Sequence, residues 1–100
     1  SVMPNTIKLD TWIDYKSLMV SLEEVLDNQI ENCRYEEDCD DPYENNNVAD
    51  CNSALKQLVG LEVIPFKPIT LTKNMFSNFE WDFVEMAMEY NELYGSEEDA

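Results

Sequence analysis

One hundred residues are enough for one domain with a modest core, and the 44% hydrophobic content excludes wholesale disorder. The formal net charge of −16, with six Lys and Arg residues in all, excludes a basic patch for nucleic acid and disfavours anionic membranes. We therefore expect a single domain over residues 1–100 that contacts neither nucleic acid nor a membrane directly.

The acidic residues fall into two blocks separated by a nearly neutral stretch. Residues 23–50 hold eleven Asp or Glu residues and one Arg, and residues 80–100 hold eight acids and no base. The rest of the chain sums to a charge of +2. Because so acidic a chain repels itself when it folds, we expect the charge to serve solubility, metal capture or docking on a basic partner.

Residues 1–9 are predicted to be an irregular or extended lead-in to a first helix. Thr11 and Asp14 have the spacing of a capping box, in which each side chain accepts a bond from the other residue's backbone N–H. Apolar residues then recur at spacings of three and four, which predicts an amphipathic helix from about residue 11 to residue 34. Its buried stripe is predicted to comprise Trp12, Tyr15, Leu18, Met19, Leu22, Val25, Leu26, Ile30 and Cys33. Its polar face is predicted to comprise Asp14, Ser17, Ser21, Glu24, Asn28 and Glu31.

Residues 35–46 lack any periodicity, and Pro42 and the polar residues around it predict a loop or a frayed helix end. Residues 47–50 then offer a cap for a second, shorter helix. The apolar side of this second helix is predicted to comprise Val48, Cys51, Leu55, Leu58 and Val59. Gly60 stands where a helix end favours a residue that tolerates positive φ.

The segment 61–72 is apolar and rich in β-branched residues, but it contains two prolines. Pro65 and Pro68 each remove a backbone donor, so the segment is at most an edge strand. Its hydrophobicity favours an extended connector that packs over the helices as part of the core.

A third helix is predicted to begin at Thr72 or at Ser77, where Ser77 and Glu80 repeat the capping-box spacing. Gly95 is expected to end it, with a frayed acidic tail over residues 95–100. Its buried face is predicted to comprise Phe76, Phe79, Phe83, Ala87, Tyr90 and Tyr94, with Met86 and Leu93 beside it. The chain is thus predicted to be an all-α, three-helix domain with an extended, Pro-containing crossing segment, or a short edge strand, between the second and third helices.

The three cysteines, Cys33, Cys39 and Cys51, cannot pair completely, and no C-x-x-C motif or histidine accompanies them. A zinc site of three thiolates completed by an Asp is the less favoured interpretation. Reduced thiols in a cytoplasmic protein, with Cys33 and Cys51 in the core, explain the pattern better.

The sequence also gives little support for a calcium site or for an enzyme active site. Asp38, Asp40 and Asp41 resemble the start of an EF-hand loop, but Pro42 stands at the fifth position and no Gly at the sixth. We therefore expect no metal and no other cofactor. Without histidine there is no Ser–His or Cys–His pair, and a helical domain of this size leaves little room for a substrate cleft between paired carboxylates. We expect no catalysis.

The third helix carries an acidic stripe within about 80° of arc, with no Lys or Arg to relieve the repulsion between neighbouring turns. The stripe consists of Asp82, Glu85, Glu89 and Glu92. It is interpreted as a solvated face that aids solubility, as a substitute for nucleic-acid phosphates, or as a docking face for a basic protein. Trp81 and Met88 flank the stripe and are predicted to be apolar anchors of an interface. Alternatively, they pack against residues 61–72 or against a second copy of the chain in a homodimer.

In size and charge the chain resembles the small acidic proteins, many from phages, that imitate DNA and block DNA-binding enzymes. The resemblance is one of class and covers no specific motif. It implies an inhibitor or decoy, of the anti-restriction or another anti-defence kind, that occupies the basic nucleic-acid cleft of a host protein. The predicted partner-binding residues are Asp82, Glu85, Glu89, Glu92, Trp81, Met88, Glu36, Glu37, Asp38, Asp40 and Asp41. The alternatives are an immunity or antitoxin protein that neutralises a basic nuclease or toxin, and a non-catalytic adaptor.

Overall fold

The computed structural model describes residues 5–36, 38–64 and 66–95, and over these residues the chain forms three α-helices and a short two-stranded sheet. The elements in chain order are β1 (Thr6–Leu9), α1 (Trp12–Arg34), α2 (Asn46–Val59), β2 (Ile69–Thr72) and α3 (Asn78–Tyr90). Short 3₁₀ turns lie at Pro42–Glu44 and Lys73–Met75, and a π-helical segment, Asn91–Gly95, continues α3. The predicted all-α, three-helix fold with a small edge strand is confirmed. Of the predicted frayed tail, residues 96–100 lie outside the described residues.

Helix α1 begins where the capping box predicts. The Asp14 N–H donates to Thr11 Oγ1 at 3.2 Å, and the Thr11 N–H donates to Asp14 Oδ2 at 3.2 Å. The buried stripe is wider than a single face because α1 packs against both α2 and α3. Ser21, predicted to be polar surface, is therefore buried, whereas Trp12 at the helix start is 42% exposed.

Helix α2 begins slightly earlier than predicted, because Asn45 rather than Asn47 caps it. Asn45 Oδ1 accepts bonds from the backbone N–H groups of Asn47 at 2.9 Å and Val48 at 3.2 Å. Gly60 ends the helix with φ −76°, in the ordinary right-handed region. The expectation of a left-handed glycine was wrong, since Gly60 and Leu61 close the last turn through backbone bonds to Lys56 and Leu58.

The two strands join the lead-in to the segment after α2. They are antiparallel, with Thr6 opposite Thr72 and Leu9 opposite Ile69. Their inward side chains reach the core, so the crossing segment is partly core as predicted. Pro68 precedes β2 and therefore costs the ladder no donor. The turn before it points outward instead: Phe66 is 97% exposed and has φ 71°.

A buried hydrogen bond fixes the start of α1 beside the end of α2. The Tyr15 hydroxyl donates to the Leu58 carbonyl oxygen at 2.7 Å. Burial raises the pKa of this hydroxyl, so it remains a protonated donor at neutral pH. The bond joins residues 43 positions apart and so contributes to tertiary rather than local structure.

Replacing Tyr15 with Phe is expected to lower the free energy of unfolding by about 1 kcal/mol. The loss is modest because the Leu58 carbonyl keeps a backbone bond from the Leu61 N–H at 3.2 Å. Urea unfolding followed by circular dichroism measures it, with Tyr43→Phe at an exposed tyrosine as the control. Equal urea midpoints for the two variants would show that the buried bond contributes nothing.

Helix α3 starts at Ser77 rather than Thr72, with the predicted capping box. The Ser77 N–H donates to Glu80 Oε1 at 2.6 Å, and the Glu80 N–H donates to Ser77 Oγ at 3.1 Å. The earlier residues form the 3₁₀ turn and tie back to the chain start, since the Lys73 N–H donates to the Asn5 carbonyl at 2.9 Å. Within the described residues, no helix is long and apolar enough to cross a bilayer.

Candidate functional site

Helix α3 is rotated about its axis relative to the prediction, so that part of the acidic stripe also faces the core. Phe79, assigned to the buried face, is 67% exposed, whereas Trp81 is 1% exposed. The buried side runs through Trp81, Val84 and Ala87 because α3 sits against both α1 and α2. Phe76, Phe83 and Ala87 are buried as predicted, so packing extends the buried arc toward Trp81 and leaves Phe79 outside it.

Trp81 is a core residue, so its prediction as an exposed anchor was wrong. Its ring lies 5.7 Å from the ring of Phe76, with the planes tilted by 44°. Met88, one turn further on than Val84, is partly buried against the same core. Trp81 is therefore not available on the surface as an apolar anchor, whereas Met88 is still partly exposed.

Glu85 is the acid of the stripe that the core encloses. It is 7% exposed, and its Oε1 atom is buried without a hydrogen-bond partner among the described residues. The prediction that Glu85 meets a partner is therefore wrong for this conformation. The signal was present in the sequence, because Glu85 follows Trp81 by four residues and so lies on the same side of the helix.

The environment of Glu85 favours its protonated form. Burial is the main cause that raises the pKa of this carboxyl, and the negative charge of Asp82 adds to it. The positive charge of Lys73 and a hydrogen bond from the Trp81 side chain lower the pKa, and the charge of Glu89 raises it again. The net direction is upward, so this carboxyl resists ionisation more than an exposed glutamate does.

The remaining acids of the stripe stay on the surface. Asp82 and Glu89 are exposed on α3, and Glu92 is exposed on the π-helical segment that follows it. We call these three residues the α3 acidic row. Asp82 and Glu89 are two helical turns apart, about 10.5 Å along the axis.

The cysteines differ from the prediction. Cys33 and Cys39 form a disulfide, with their Cα atoms 5.7 Å apart, whereas Cys51 is free and buried. Burial raises the pKa of the Cys51 thiol to about 12. The expectation of reduced thiols was wrong for Cys33, at the end of α1, and Cys39, in the following loop, which lie close enough to pair. Cys33 and Cys51 are buried in the core, as predicted. Over the described part of the chain, no group of three His, Cys, Asp or Glu side chains could hold a metal ion.

The disulfide lies in the wall of an acid-lined hollow of about 290 Å³. We call this hollow the acidic concavity. It is lined by Cys33, Glu36, Asp38, Cys39, Asp40, Asp41, Glu44 and Asn45. The lining thus includes five carboxylates and, among the described residues, no Lys or Arg.

Local bonds shape the far wall of the acidic concavity. Asp41 Oδ1 accepts a bond from the Tyr43 N–H at 3.0 Å and thereby caps the 3₁₀ turn Pro42–Glu44. Asn45 ends that turn and caps α2. Asp41 therefore has a structural role in addition to its charge, although it is exposed like Glu36, Asp38 and Asp40.

The structure brings together four of the predicted acids, Glu36, Asp38, Asp40 and Asp41. Glu37 lies outside the described residues. Sequence reasoning missed Glu44, although it belongs to the same acidic block beyond Pro42. Among the described residues, none of the α3 acidic row lines the acidic concavity.

No protein family matches this chain, and comparisons with curated proteins and with solved structures find no similar protein.

Proposed function

We propose that this chain is a non-catalytic inhibitor or decoy whose carboxylates take the place of nucleic-acid phosphates in the basic cleft of a host protein. The observation that carries the proposal is the clustering of exposed carboxylates without a base among the described residues, three in the α3 acidic row and five around the acidic concavity. A host restriction, defence, repair or transcription protein with a basic cleft is the proposed kind of target.

The electrostatics support this function. Duplex DNA presents a charge about every 3.4 Å along each strand, and Arg and Lys side chains bind these phosphates. The two turns that separate Asp82 from Glu89 correspond to about three phosphate steps. With a net charge of −16, the chain should attract a basic partner over long range and bind it less tightly as salt rises.

The shape of the acidic concavity favours a second candidate. A decoy that enters a cleft needs a convex acidic surface, which the α3 acidic row offers. A concave surface instead accepts a protruding basic element, such as a loop of a cationic nuclease or toxin. An immunity or antitoxin protein is therefore the alternative, and it would not need to exclude nucleic acid from its target.

The location of the protein stays a prediction. A decoy or immunity protein would act in the cytoplasm of the host cell. The Cys33–Cys39 disulfide argues in the other direction, because disulfides persist mainly in oxidising compartments.

Charge reversal at the acidic concavity is expected to abolish inhibition. The loop variant carries Glu36→Lys, Asp38→Lys and Asp40→Lys, which spares the capping residue Asp41. The probes are purified restriction endonucleases assayed on duplex DNA and cationic ribonucleases assayed on RNA, at about 50 mM and about 500 mM salt. For an enzyme that the unmodified chain inhibits, we expect the loop variant to lose roughly 100-fold in affinity.

The matched control makes the same change of charge elsewhere. It carries Glu23→Lys, Glu24→Lys and Asp27→Lys at exposed positions of α1. Equal losses in the two variants would show that net charge, and not the acidic concavity, governs binding. Displacement of labelled duplex DNA from the target supports a decoy, binding without displacement supports the immunity alternative, and no inhibition at low salt contradicts both.

A further inference from the structure

The disulfide and the acids around it form one chemical unit. Cys33 is buried at the end of α1, whereas Cys39 is partly exposed in the loop, so an external thiol reaches the sulfur of Cys39 more easily. Both cysteines line the acidic concavity with its five carboxylates. A reagent that reaches this disulfide through the acidic concavity therefore passes five carboxylates and no lining Lys or Arg among the described residues.

We propose that the Cys33–Cys39 disulfide is a reversible thiol-exchange site that selects thiols carrying positive charge. We also propose that its reduction releases the loop between the two cysteines and so disperses the carboxylates of the acidic concavity. This deepens the proposed function by naming a regulation of the same surface. The biological reductant would be a thiol on a basic protein surface. Glutathione, whose thiolate carries a net charge of −2, would be disfavoured by repulsion.

The reaction follows ordinary thiol–disulfide exchange. A thiolate attacks Sγ of Cys39, a new S–S bond forms, and the electron pair of the old bond leaves on Sγ of Cys33, which takes a proton from water. A second thiolate then attacks the reagent's sulfur in the mixed disulfide and releases Cys39. Two thiols are oxidised to one disulfide, and the protein disulfide gains two electrons.

The third cysteine does not interfere with this exchange. Cys51 is fully buried in α2, and its thiol stays protonated at neutral pH because burial raises its pKa to about 12. Since only the thiolate attacks a disulfide, Cys51 does not reshuffle the pair. The oxidised and reduced forms are therefore two defined states.

The disulfide also holds the acids together. It closes a loop with a sequence separation of 6, and Glu36 and Asp38 lie inside that loop. Like charges so confined repel one another, and the covalent bond opposes this repulsion. Once the bond is reduced, we expect the loop to move away from α1 and the acidic concavity to disperse.

The selectivity is measured with three small thiols: cysteamine, 2-mercaptoethanol and 2-mercaptoethanesulfonate, whose thiolates carry net charges of 0, −1 and −2. Rate constants are compared per thiolate at about 20 mM salt, by mass spectrometry of the alkylated product. Cysteamine is expected to react at least about tenfold faster than 2-mercaptoethanesulfonate, and about 500 mM salt should remove most of the difference. Equal rates at low salt would overturn the selectivity.

Two triple variants locate the cause of the selectivity. Glu36→Gln, Asp38→Asn and Asp40→Asn together should reduce the rate ratio to about twofold. Glu23→Gln, Glu24→Gln and Asp27→Asn remove the same charge from α1 and should leave the ratio unchanged. If both triple variants reduce it equally, net charge is responsible and the site is not selective by itself.

Opening of the loop has its own measurement. Arg34 lies between the two cysteines, so trypsin cleavage after Arg34 reports on the loop, and cleavage after Lys73 serves as the reference. Reduction, or Cys33→Ser with Cys39→Ser, should speed cleavage after Arg34 by about tenfold relative to Lys73. An unchanged ratio would show that reduction does not release the loop.

These experiments use no partner, so they can fail while the inhibition assays succeed, and the reverse also holds.

Discussion

Replacing Trp81 with alanine is expected to lower the free energy of unfolding by about 3–5 kcal/mol. The side chain is among the largest that the core fully encloses, and its ring packs against Phe76. Its removal leaves a cavity and also deletes the hydrogen bond to the buried Glu85 carboxyl. A domain of this size has roughly 5–15 kcal/mol of stability in all, so the variant should be close to unfolding at 37 °C.

The control for this experiment is Phe79→Ala on the same helix. Phe79 is a similarly large aromatic residue but mostly exposed, so its loss should change stability by less than about 0.5 kcal/mol. Urea unfolding followed by circular dichroism at 222 nm measures both. If Trp81→Ala is unfolded without urea, Trp81→Phe keeps most of the ring and gives a measurable midpoint. A larger effect at Phe79 than at Trp81 would mean that α3 packs in the orientation predicted from its sequence.

Replacing Glu85 with Gln is expected to raise the free energy of unfolding by about 1–2 kcal/mol at pH 8. The reason is that the unfolded chain ionises this carboxyl freely, whereas the folded chain encloses it beside Asp82 with Oε1 unpartnered among the described residues. The neutral amide of Gln removes the cost of burying a charge. Where no buried charge is relieved, replacing a carboxylic acid in a core with an amide seldom stabilises a protein.

The effect should depend on pH with a definite sign. Because folding raises the pKa of Glu85, the folded state binds more protons than the unfolded state between the two pKa values. The contribution of Glu85 to stability is therefore fully present below pH 4.5, the ordinary pKa of this carboxyl, and is lost as the pH rises through the higher folded pKa. The gap between Glu85→Gln and the unmodified chain should open from about pH 4.5 upward.

Glu92→Gln supplies the matched control for Glu85→Gln. It makes the same chemical change at an exposed position of the segment that continues α3, and the charge of Glu92 is not among those that shift the pKa of Glu85, so the pH dependence should follow that of the unmodified chain. Urea midpoints for all three proteins between pH 4 and pH 8 give the comparison. A constant gap across this range, or identical profiles for the two variants, would contradict the burial of an ionisable Glu85.

If both results hold, Trp81 and Glu85 belong to the core and not to an interface. The acids available to a partner are then those of the acidic concavity and the α3 acidic row. This changes the design of any binding experiment, because Glu85→Lys would place a charge in the core and unfold the chain. Loss of binding in such a variant would say nothing about the partner.

Features that depend on neighbouring residues could be predicted from the sequence. The capping boxes at Thr11 and Ser77 appear at the predicted residues because each is closed by side chains three positions apart. The spacing of apolar residues likewise predicted α1 and α3 and the all-α class. The prolines of the crossing segment predicted at most a short strand, and β2 begins only after Pro68.

Only the tertiary structure decided how residues far apart in the sequence are arranged relative to one another. Residues 6–9 pair with residues 69–72, and the sequence of neither segment identifies the other as its partner strand. Helix α3 could have buried Phe79 or Trp81, and its contacts with both other helices selected Trp81 and enclosed Glu85 with it. The sequence does not tell which two of the three cysteines pair, and only their positions in the folded chain identify Cys33 and Cys39 as the disulfide. Local bonding and periodicity are properties of the chain itself, whereas orientation and pairing depend on which surfaces meet when the helices pack.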